Sequence, residues 1–268
     1  MNIPVRHLLA WCAWSACALL SPAASAAEEA IATDRPDVVE SSDVVGQGRF
    51  QIETSVACER DERDGVRTRL CATPTLLRIG VSDTVELRFE TDGALRLRTD
   101  DAGIKTSEHG HADLAIGAKW HMQDGDEATH RPGIGWLLHV DSDSGSRAFR
   151  GQGWRPSLRM VAEWEFPGGY SLGVMPGVYR DRSDLGKSHV GGILAVVAGK
   201  SLTDRLRGFV EFAGLQLTAP KNGGNVVSAN AGLAYLVTNS VQIDTAVSRG
   251  LSKGTPDFGW TVGLSVRF

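Results

Sequence analysis

Two histidines and a few serines are the residues of this chain whose types and spacing come nearest to a known chemistry. His109 and His111 flank a single glycine and could share a metal ion. No cysteine or third ligand lies near them in the sequence, and the four-ligand spacing of a structural zinc site is missing. The segment around them is predicted to be an outer loop. We therefore predict neither a metal nor another cofactor.

Hydrolysis would need a serine and a histidine within hydrogen-bonding reach, together with a group that orients the histidine. Ser188 and His189 are adjacent, so in a strand they point to opposite faces. His139 and Ser142 also have opposite parity. We therefore predict that the chain is not an enzyme, since a hydrolase would require a Ser–His pair brought together from different strands.

Alternation of apolar and charged residues with period two is the main structural signal. In residues 84–98 one face carries Val85, Leu87, Phe89, Thr91, Leu95 and Leu97, and the other carries Glu86, Arg88, Glu90, Asp92, Arg96 and Arg98. A soluble sandwich turns its apolar face inward and a membrane barrel turns it outward, so one strand fits both folds. The number and spacing of the strands must separate these two fold classes.

Twelve such segments follow one another, and each is about as long as a tilted strand needs to cross a bilayer. They lie at 48–58, 67–80, 84–98, 111–122, 132–142, 154–166, 169–180, 189–201, 206–218, 226–238, 240–251 and 257–268. Connectors after most even-numbered strands are short, and those after odd-numbered strands, such as 99–110 and 143–153, are mostly longer. The connector 123–131 is long where a short turn is expected. We predict an all-β fold, a transmembrane antiparallel up-and-down β-barrel of about twelve strands over residues 48–268.

Aromatic residues mark the strand ends on one side of this barrel. With both termini in the periplasm, the aromatic residues at the periplasmic rim are Phe50, Trp120, Trp164, Phe166, Tyr170, Tyr235 and Phe268. All of them lie on the apolar parity of their strands, which is the pattern of an interfacial girdle. A water-soluble sandwich has no reason to place its aromatic residues at one level.

Both ends of the chain carry signals for export and assembly. Residues 1–26 have a basic start, a short apolar core and the sequence Ala24-Ser25-Ala26, which predict a signal peptide cleaved near Ala26. At the other end, Gly263, Val266 and Phe268 resemble the terminal β-signal read by the barrel assembly machinery. We therefore expect the outer membrane of a Gram-negative bacterium, with outer-membrane lipid and the assembly machinery as partners.

Composition excludes two other classes of protein. The formal net charge is −4 and no basic run is long, so we predict no nucleic-acid binding. After the N-terminal segment no stretch of about twenty apolar residues occurs, which excludes ordinary transmembrane helices.

The sequence Thr33-Asp34-Arg35-Pro36-Asp37, then Glu40-Ser41 and Gly48-Arg49-Phe50-Gln51-Ile52-Glu53, resembles the opening of a known family. That family is named for a meta-pathway of phenol degradation, and its members are described as transporters or outer-membrane proteins. The detailed match covers about twenty residues, and beyond it the resemblance is limited to the alternating pattern of barrel strands. The resemblance implies an outer-membrane barrel and a role in moving small, aromatic or hydrophobic compounds.

Residues 27–47 precede the first strand and hold the motif Thr33, Asp34, Arg35, Pro36 and Asp37. Pro36 disfavours helix at Arg35. One interpretation is a short plug whose charges pair with the lumen, and the other is a solvated periplasmic segment with a turn at this proline. So many polar groups beside the barrel mouth favour the plug.

Strand residues on the face opposite the apolar one are expected to line the lumen. Positive and negative side chains are interspersed along this face. Its candidate selectivity residues are Glu53, Arg78, Glu86, Arg88, Glu90, Asp113, Lys119, Arg159, Glu163 and Glu211, and His121, Glu165, Asp244 and Arg267 have the same parity. These charges form either a selective constriction or a salt-bridge network that fills the barrel. A count of twelve strands lies between filled barrels and water-filled channels, so it leaves both open.

Cys58 and Cys71 are expected to form a disulfide. Asp64-Gly65 is a two-residue type I′ hairpin signal, and counting outward from it places the two cysteines directly opposite each other. The pair falls on a non-hydrogen-bonded position, where Cα atoms are about 4.5 Å apart. Export to an oxidising compartment also favours pairing.

Three functions fit these observations. A channel or transporter for small molecules requires a continuous lumen. A closed structural barrel that supports the envelope requires a lumen blocked by paired side chains and the N-terminal segment. A barrel-embedded hydrolase requires a Ser–His pair formed across strands. The pattern favours the channel, and the sequence does not define its substrate.

Overall fold

The computed structural model describes residues 29–183 and 186–268, and the predicted signal peptide at 1–26 lies outside them. Alternating sequence gives strands almost throughout. The strands are β1 Phe50–Arg63, β2 Val66–Ala72, β3 Thr75–Gly80, β4 Val85–Thr91, β5 Ala94–Asp101, β6 Ile104–His111, β7 Leu114–Gln123, β8 Gly133–Asp141, β9 Arg155–Phe166, β10 Tyr170–Arg182, β11 Ser188–Thr203, β12 Leu206–Leu217, β13 Val226–Thr238, β14 Val241–Gly250 and β15 Phe258–Arg267. A 3₁₀ helix occupies Pro220–Asn222. Among the described residues, no helix is long and apolar enough to cross a membrane.

The sheet closes on itself because β15 pairs with β1, from Gln51 opposite Arg267 to Arg60 opposite Phe258. Three barrel strands are each interrupted once, so that β2 continues into β3, β4 into β5, and β6 into β7. Counted in this way, the fifteen segments are the twelve antiparallel strands of a closed barrel. The predicted fold class and strand number are confirmed.

A bulge at Asp92 and Gly93 interrupts the third barrel strand and changes which face each residue occupies. Gly93 has φ +66, and a Cβ there would lie 2.3 Å from the carbonyl oxygen of Thr73, so only glycine fits. Leu87 is exposed on the outer face, whereas Leu95 is buried. The expectation of one uninterrupted alternation over 84–98 is therefore wrong, because the bulge moves the odd-numbered residues to the inner face.

Beyond the bulge the first four barrel strands continue as a four-stranded sheet, which we call the outer extension. It consists of the end of β1 together with β2, β5 and β6, paired in the order β1-β2-β5-β6. The predicted outer loop at 99–110 is therefore wrong, because β5 and β6 form a hairpin there with a turn at Ala102 and Gly103. His109 and His111 lie in β6, and both are exposed.

Burial has the inverted pattern of a membrane barrel. The side chains of Arg78, Glu86 and Lys119 are fully buried, whereas large apolar side chains such as Leu87 and Val210 are exposed. Several predicted rim aromatics are also exposed: Phe50, Trp120, Tyr170, Tyr235 and Phe268. Phe50 and Phe268 stack with ring centroids 4.7 Å apart, where the first and last strands meet.

The predicted disulfide is present in the outer extension. Cys58 lies opposite Cys71 in the register expected from the turn, with a Cα–Cα distance of 4.1 Å. Asp64 and Gly65 have φ 51 and 81, the positive values that a type I′ turn requires. The turn sequence thus fixes the register, and the register brings the two cysteines together.

Candidate functional site in the barrel lumen

The N-terminal segment, residues 31–45, contacts inward-facing side chains around the barrel. It has no helix or strand of its own, yet Asp34, Val39, Glu40 and Val45 are buried. A buried backbone without secondary structure must find other hydrogen-bond partners. The lumen side chains provide those partners.

Asp34, in the centre of the family motif, is held by several cations. Its carboxylate accepts hydrogen bonds from Arg88 at 2.5 Å and from Lys119 at 2.7 Å, and it lies 3.5 Å from Arg78. The backbone N–H of Ser41 donates to the same carboxylate at 2.8 Å. Short contacts of this kind between buried opposite charges are the stronger class of hydrogen bond.

Glu40 forms a second ionic contact further along the segment. It accepts hydrogen bonds from Arg88 at 2.6 Å and from Arg159 at 2.9 Å. Arg88 also donates to Glu86 at 2.9 Å. One buried arginine on β4 therefore links two carboxylates of the segment to one on its own strand.

Four predicted lumen carboxylates accept hydrogen bonds from the backbone of the segment. Glu53 accepts from the N–H of Asp34, and Glu86 from that of Val45. Glu163 accepts from Ser42, and Glu211 from both Val38 and Val39. These acidic residues therefore contact the main chain of the segment in this structure.

Lumen cations satisfy the carbonyl groups in the same way. Arg78 donates to the carbonyl oxygens of Ala32 and Asp43, and Lys119 donates to that of Ser41. Arg78 also contacts Glu86 at 2.8 Å and Glu53 at 3.1 Å. The donors and acceptors of the segment are thus matched by acids and bases spaced around the lumen.

The remaining charged residues of the motif contact side chains of β12, β14 and β15. Arg35 donates to Asp244 at 3.0 Å and to Thr261 at 2.9 Å, and Asp37 pairs with Arg207 at 2.7 Å. Thr33 accepts a hydrogen bond from Gln242. The Arg35–Pro36 peptide bond is cis.

One side of the lumen is apolar, and the alternation of residue types along the strands does not predict this. Val39 of the segment packs in a buried cluster of inward-facing residues from β8 to β12 and β14. That cluster contains Leu137, Val161, Met175, Ile193, Ala195, Val197, Phe209, Ala213 and Ala246. The sequence signal for this apolar side is a run of apolar residues at successive positions, such as Ile193–Val197. In such a strand the inward face is apolar as well as the outward face.

Two cavities lie at opposite ends of the lumen. The inner one, of about 590 Å³, is lined by the start of the segment and by the turn at Asp204 and Arg205. The outer one, of about 470 Å³, is lined by Glu90, Asp141 and Arg155. Asp34, Glu40 and Arg88 are buried and line neither cavity.

Asp113 lies between β6 and β7, next to the outer cavity, where it anchors the loop 142–154. Its carboxylate accepts hydrogen bonds from the backbone N–H of Gly145 at 2.7 Å and Gly151 at 2.8 Å, and from Arg155 at 2.7 Å. Burial alone would raise the pKa of Asp113, but these hydrogen bonds hold it below its ordinary value.

His139 lies opposite Ser157 on the neighbouring strand, which is a Ser–His juxtaposition that sequence parity did not reveal. The Nε2 atom of His139 accepts a hydrogen bond from Arg88 at 3.0 Å, and Nδ1 lies 3.6 Å from Glu90. Both ring nitrogens therefore face other residues, and this geometry does not favour a Ser–His nucleophile.

The closed barrel with a charged interior and an apolar exterior defines the class of outer-membrane β-barrels. An outer membrane channel from Pseudomonas putida F1 is similar in structure, with a TM-score of 0.64 at 12% identity, over 87% of this chain and 99% of that chain. The β domain of a Bordetella autotransporter is also similar, with a TM-score of 0.53 at 11% identity, over 82% of this chain and 99% of that one. No curated protein matches the sequence.

The family itself is shown by the sequence. Residues 33–268 match the model described as "Putative MetA-pathway of phenol degradation", and the chain belongs to that family. The family expected from the N-terminal motif is thus confirmed, and the match begins at Thr33, the first residue of that motif.

Proposed function

We propose that the protein is an outer-membrane channel for small molecules, that the described structure is its closed state, and that residues 31–45 are the plug. The observation that carries this proposal is how the buried middle of the segment, which we call the barrier, is held in the lumen. The barrier includes Asp34, Val39 and Glu40 of the segment, which are held by hydrogen bonds, ion pairs and packing. A non-covalent barrier can leave the lumen while the strands stay paired.

A fixed structural barrel is the alternative. The paired charges and the segment in the lumen fit that alternative as well, and the two cavities argue against it. A barrel that only needed filling could close its lumen with strand side chains, as small barrels do. Here the strands leave cavities of about 590 and 470 Å³, and Asp34 and Glu40 of the segment, which line neither cavity, would separate them. The two spaces are large enough for small organic molecules on either side of the barrier.

The apolar cluster also bears on the class of substrate. Leu137, Val161, Met175 and Phe209 would line a path that opens when Val39 withdraws. Such a surface suits a small hydrophobic or aromatic compound, and the lumen charges opposite would orient a polar substituent. The family description, which refers to phenol degradation, agrees with this class.

Neutralising Asp34 tests the plug directly. We expect Asp34→Asn to weaken the contacts with Arg88 and Lys119 and to increase the open time of single channels in planar bilayers severalfold. Asp43→Asn is the matched control, because it is the same change in the same segment, the side chain of Asp43 is 58% exposed and its contact with His121 is long, at 3.6 Å. The control should behave as the unmodified protein does.

Conductance separates the channel from the structural barrel. If correctly folded unmodified and Asp34→Asn proteins both show no conductance and no uptake of small aromatic solutes into liposomes, the channel proposal is wrong. Equal gains in Asp34→Asn and Asp43→Asn would instead show that the ionic contacts of Asp34 do not hold the plug.

Localisation and assembly form part of the same proposal. We infer cleavage near Ala26, insertion into the outer membrane, and an assembly signal formed by Gly263, Val266 and Phe268. Phe268 supports this assignment because its N–H donates to Phe50 and its ring stacks on that residue, at the closing seam. Deleting Phe268 should reduce the heat-modifiable protein in outer-membrane fractions, and unchanged amounts would contradict the signal.

A further inference from the structure

The outward face of the outer extension carries a row of arginines in direct register. Arg60 on β1 lies opposite Arg69 on β2, and Arg69 lies opposite Arg98 on β5. All three side chains are exposed. Like charges directly opposite each other on neighbouring strands destabilise a sheet, so this row needs an explanation.

The next row outward provides an internal comparison. There Glu62 lies opposite Arg67, Arg67 opposite Asp100, and Asp100 opposite Lys105, so that the signs alternate. Arg67 and Asp100 are 3.6 Å apart. In the arginine row, by contrast, no carboxylate among the described residues lies within ion-pairing distance of Arg69 or Arg98.

Neighbouring groups extend the arginine row on both sides. On one side Arg60 lies 5.0 Å over the ring of Phe258, and Arg249 is the next residue in register. On the other side, one step nearer the membrane, Arg96 lies opposite His109. The surface is thus cationic over several strands and bordered by an aromatic residue.

The height of the row matches the boundary of the bilayer. Arg60 follows the rim residue Phe50 by ten positions in β1, which is about 34 Å along a strand. With a strand tilt of about 40°, this is roughly 26 Å along the membrane normal, close to the apolar band of about 25 Å in outer-membrane barrels. The row therefore lies where lipid head groups of the outer leaflet begin.

We infer that Arg60, Arg69 and Arg98 bind the phosphate groups of the phosphorylated glycolipid that forms the outer leaflet. Guanidinium groups bind phosphate oxygens in a bidentate manner, and strands about 4.8 Å apart place several of them against one head group. Acyl chains would pack against exposed apolar residues below the row, such as Val56 and Val262. The repulsion within the row is relieved when the anion binds.

The test uses the full-length refolded protein and two lipids with identical acyl chains. Bisphosphorylated lipid A should bind the unmodified protein and raise its heat-modification midpoint, and the dephosphorylated form should do so much less. Arg69→Gln/Arg98→Gln should weaken binding by about fivefold for each arginine removed. Arg67→Gln/Lys105→Gln removes the same charge from the alternating row and should weaken binding less than twofold.

Three results would overturn the inference. Equal losses in the two double variants would show a general cationic surface without a site. Equal binding of the two lipids would remove the role of phosphate, and this comparison needs no variant to fold. Inorganic phosphate that binds as tightly as the bisphosphorylated lipid would show a site for a soluble anion.

Discussion

The lumen has two walls that interact differently with the same N-terminal segment. On β1, β3, β4 and β7, the side chains of Glu53, Arg78, Glu86, Arg88 and Lys119 form a charged wall that is almost fully buried. On β8 to β12 and β14, the apolar cluster receives Val39. Charged contacts are directional and costly to leave unpaired, whereas apolar contacts tolerate small changes in position. The charged wall thus fixes the register of the segment, and the apolar wall supplies packing.

Removing one cation from the charged wall should have the largest effect. Arg88→Met leaves Asp34, Glu40 and Glu86 without a shared partner, which should lower the free energy of unfolding by about 3–5 kcal/mol. Urea unfolding in lipid vesicles measures this change, and single-channel recording should show more frequent opening. A loss below about 1 kcal/mol would mean that the charged wall does not determine stability.

A cavity in the apolar wall should cost less. Met175 is fully buried, and Met175→Ala should lower the free energy of unfolding by about 2–3 kcal/mol, the lower part of the usual range, because the neighbouring segment can relax. We expect ion selectivity to stay unchanged, since no charge is altered. A clear change in selectivity in bilayer recordings would contradict the division into two walls.

The ion pair between Asp37 and Arg207 should contribute less than either wall residue. The side chain of Arg207 is 33% exposed and that of Asp37 is 8% exposed, so solvent screens only part of the pair, and Asp37→Asn should cost about 1–2 kcal/mol. The same urea titration applies. A loss as large as that of Arg88→Met would show that the apolar side of the lumen also depends on charge.

The smallest effect should be a local one at the outer cavity. Because the pKa of Asp113 is held below its ordinary value of 3.8, its hydrogen bonds stabilise the folded loop above that pH. This stabilisation is lost as the pH falls below about 3.8 toward the folded-state pKa. Hydrogen exchange at Gly145 and Gly151 should therefore increase at low pH, and Asp113→Asn should produce the same increase at neutral pH.

The sequence was sufficient to predict the barrel, its strand number and the disulfide, and charge parity indicated the face on which the charged wall lies. Each has a local signal: alternation, the Asp64-Gly65 turn, or a charge at a fixed parity. The bulge at Asp92–Gly93 was missed because one inserted residue changes the face of Leu95 without changing the alternation of residue types.

The apolar wall and the contacts of the segment could not be predicted. Residues such as Met175 and Val161 lie on strands with apolar residues on both faces, so parity does not distinguish lumen from lipid. Glu163 and Glu211 accept hydrogen bonds from backbone N–H groups of the segment. These bonds depend on the path of a segment without regular structure, and no local sequence pattern encodes that path.

The disulfide between Cys58 and Cys71 makes the tip of the first hairpin a covalent ring. The exposed turn at Asp64 and Gly65 lies within that ring, facing away from the membrane. A single proteolytic cut at the turn would open the ring but leave both strands joined through sulfur. On a denaturing gel the cut chain would then keep its complete mass until a reductant released the N-terminal piece, which carries β1.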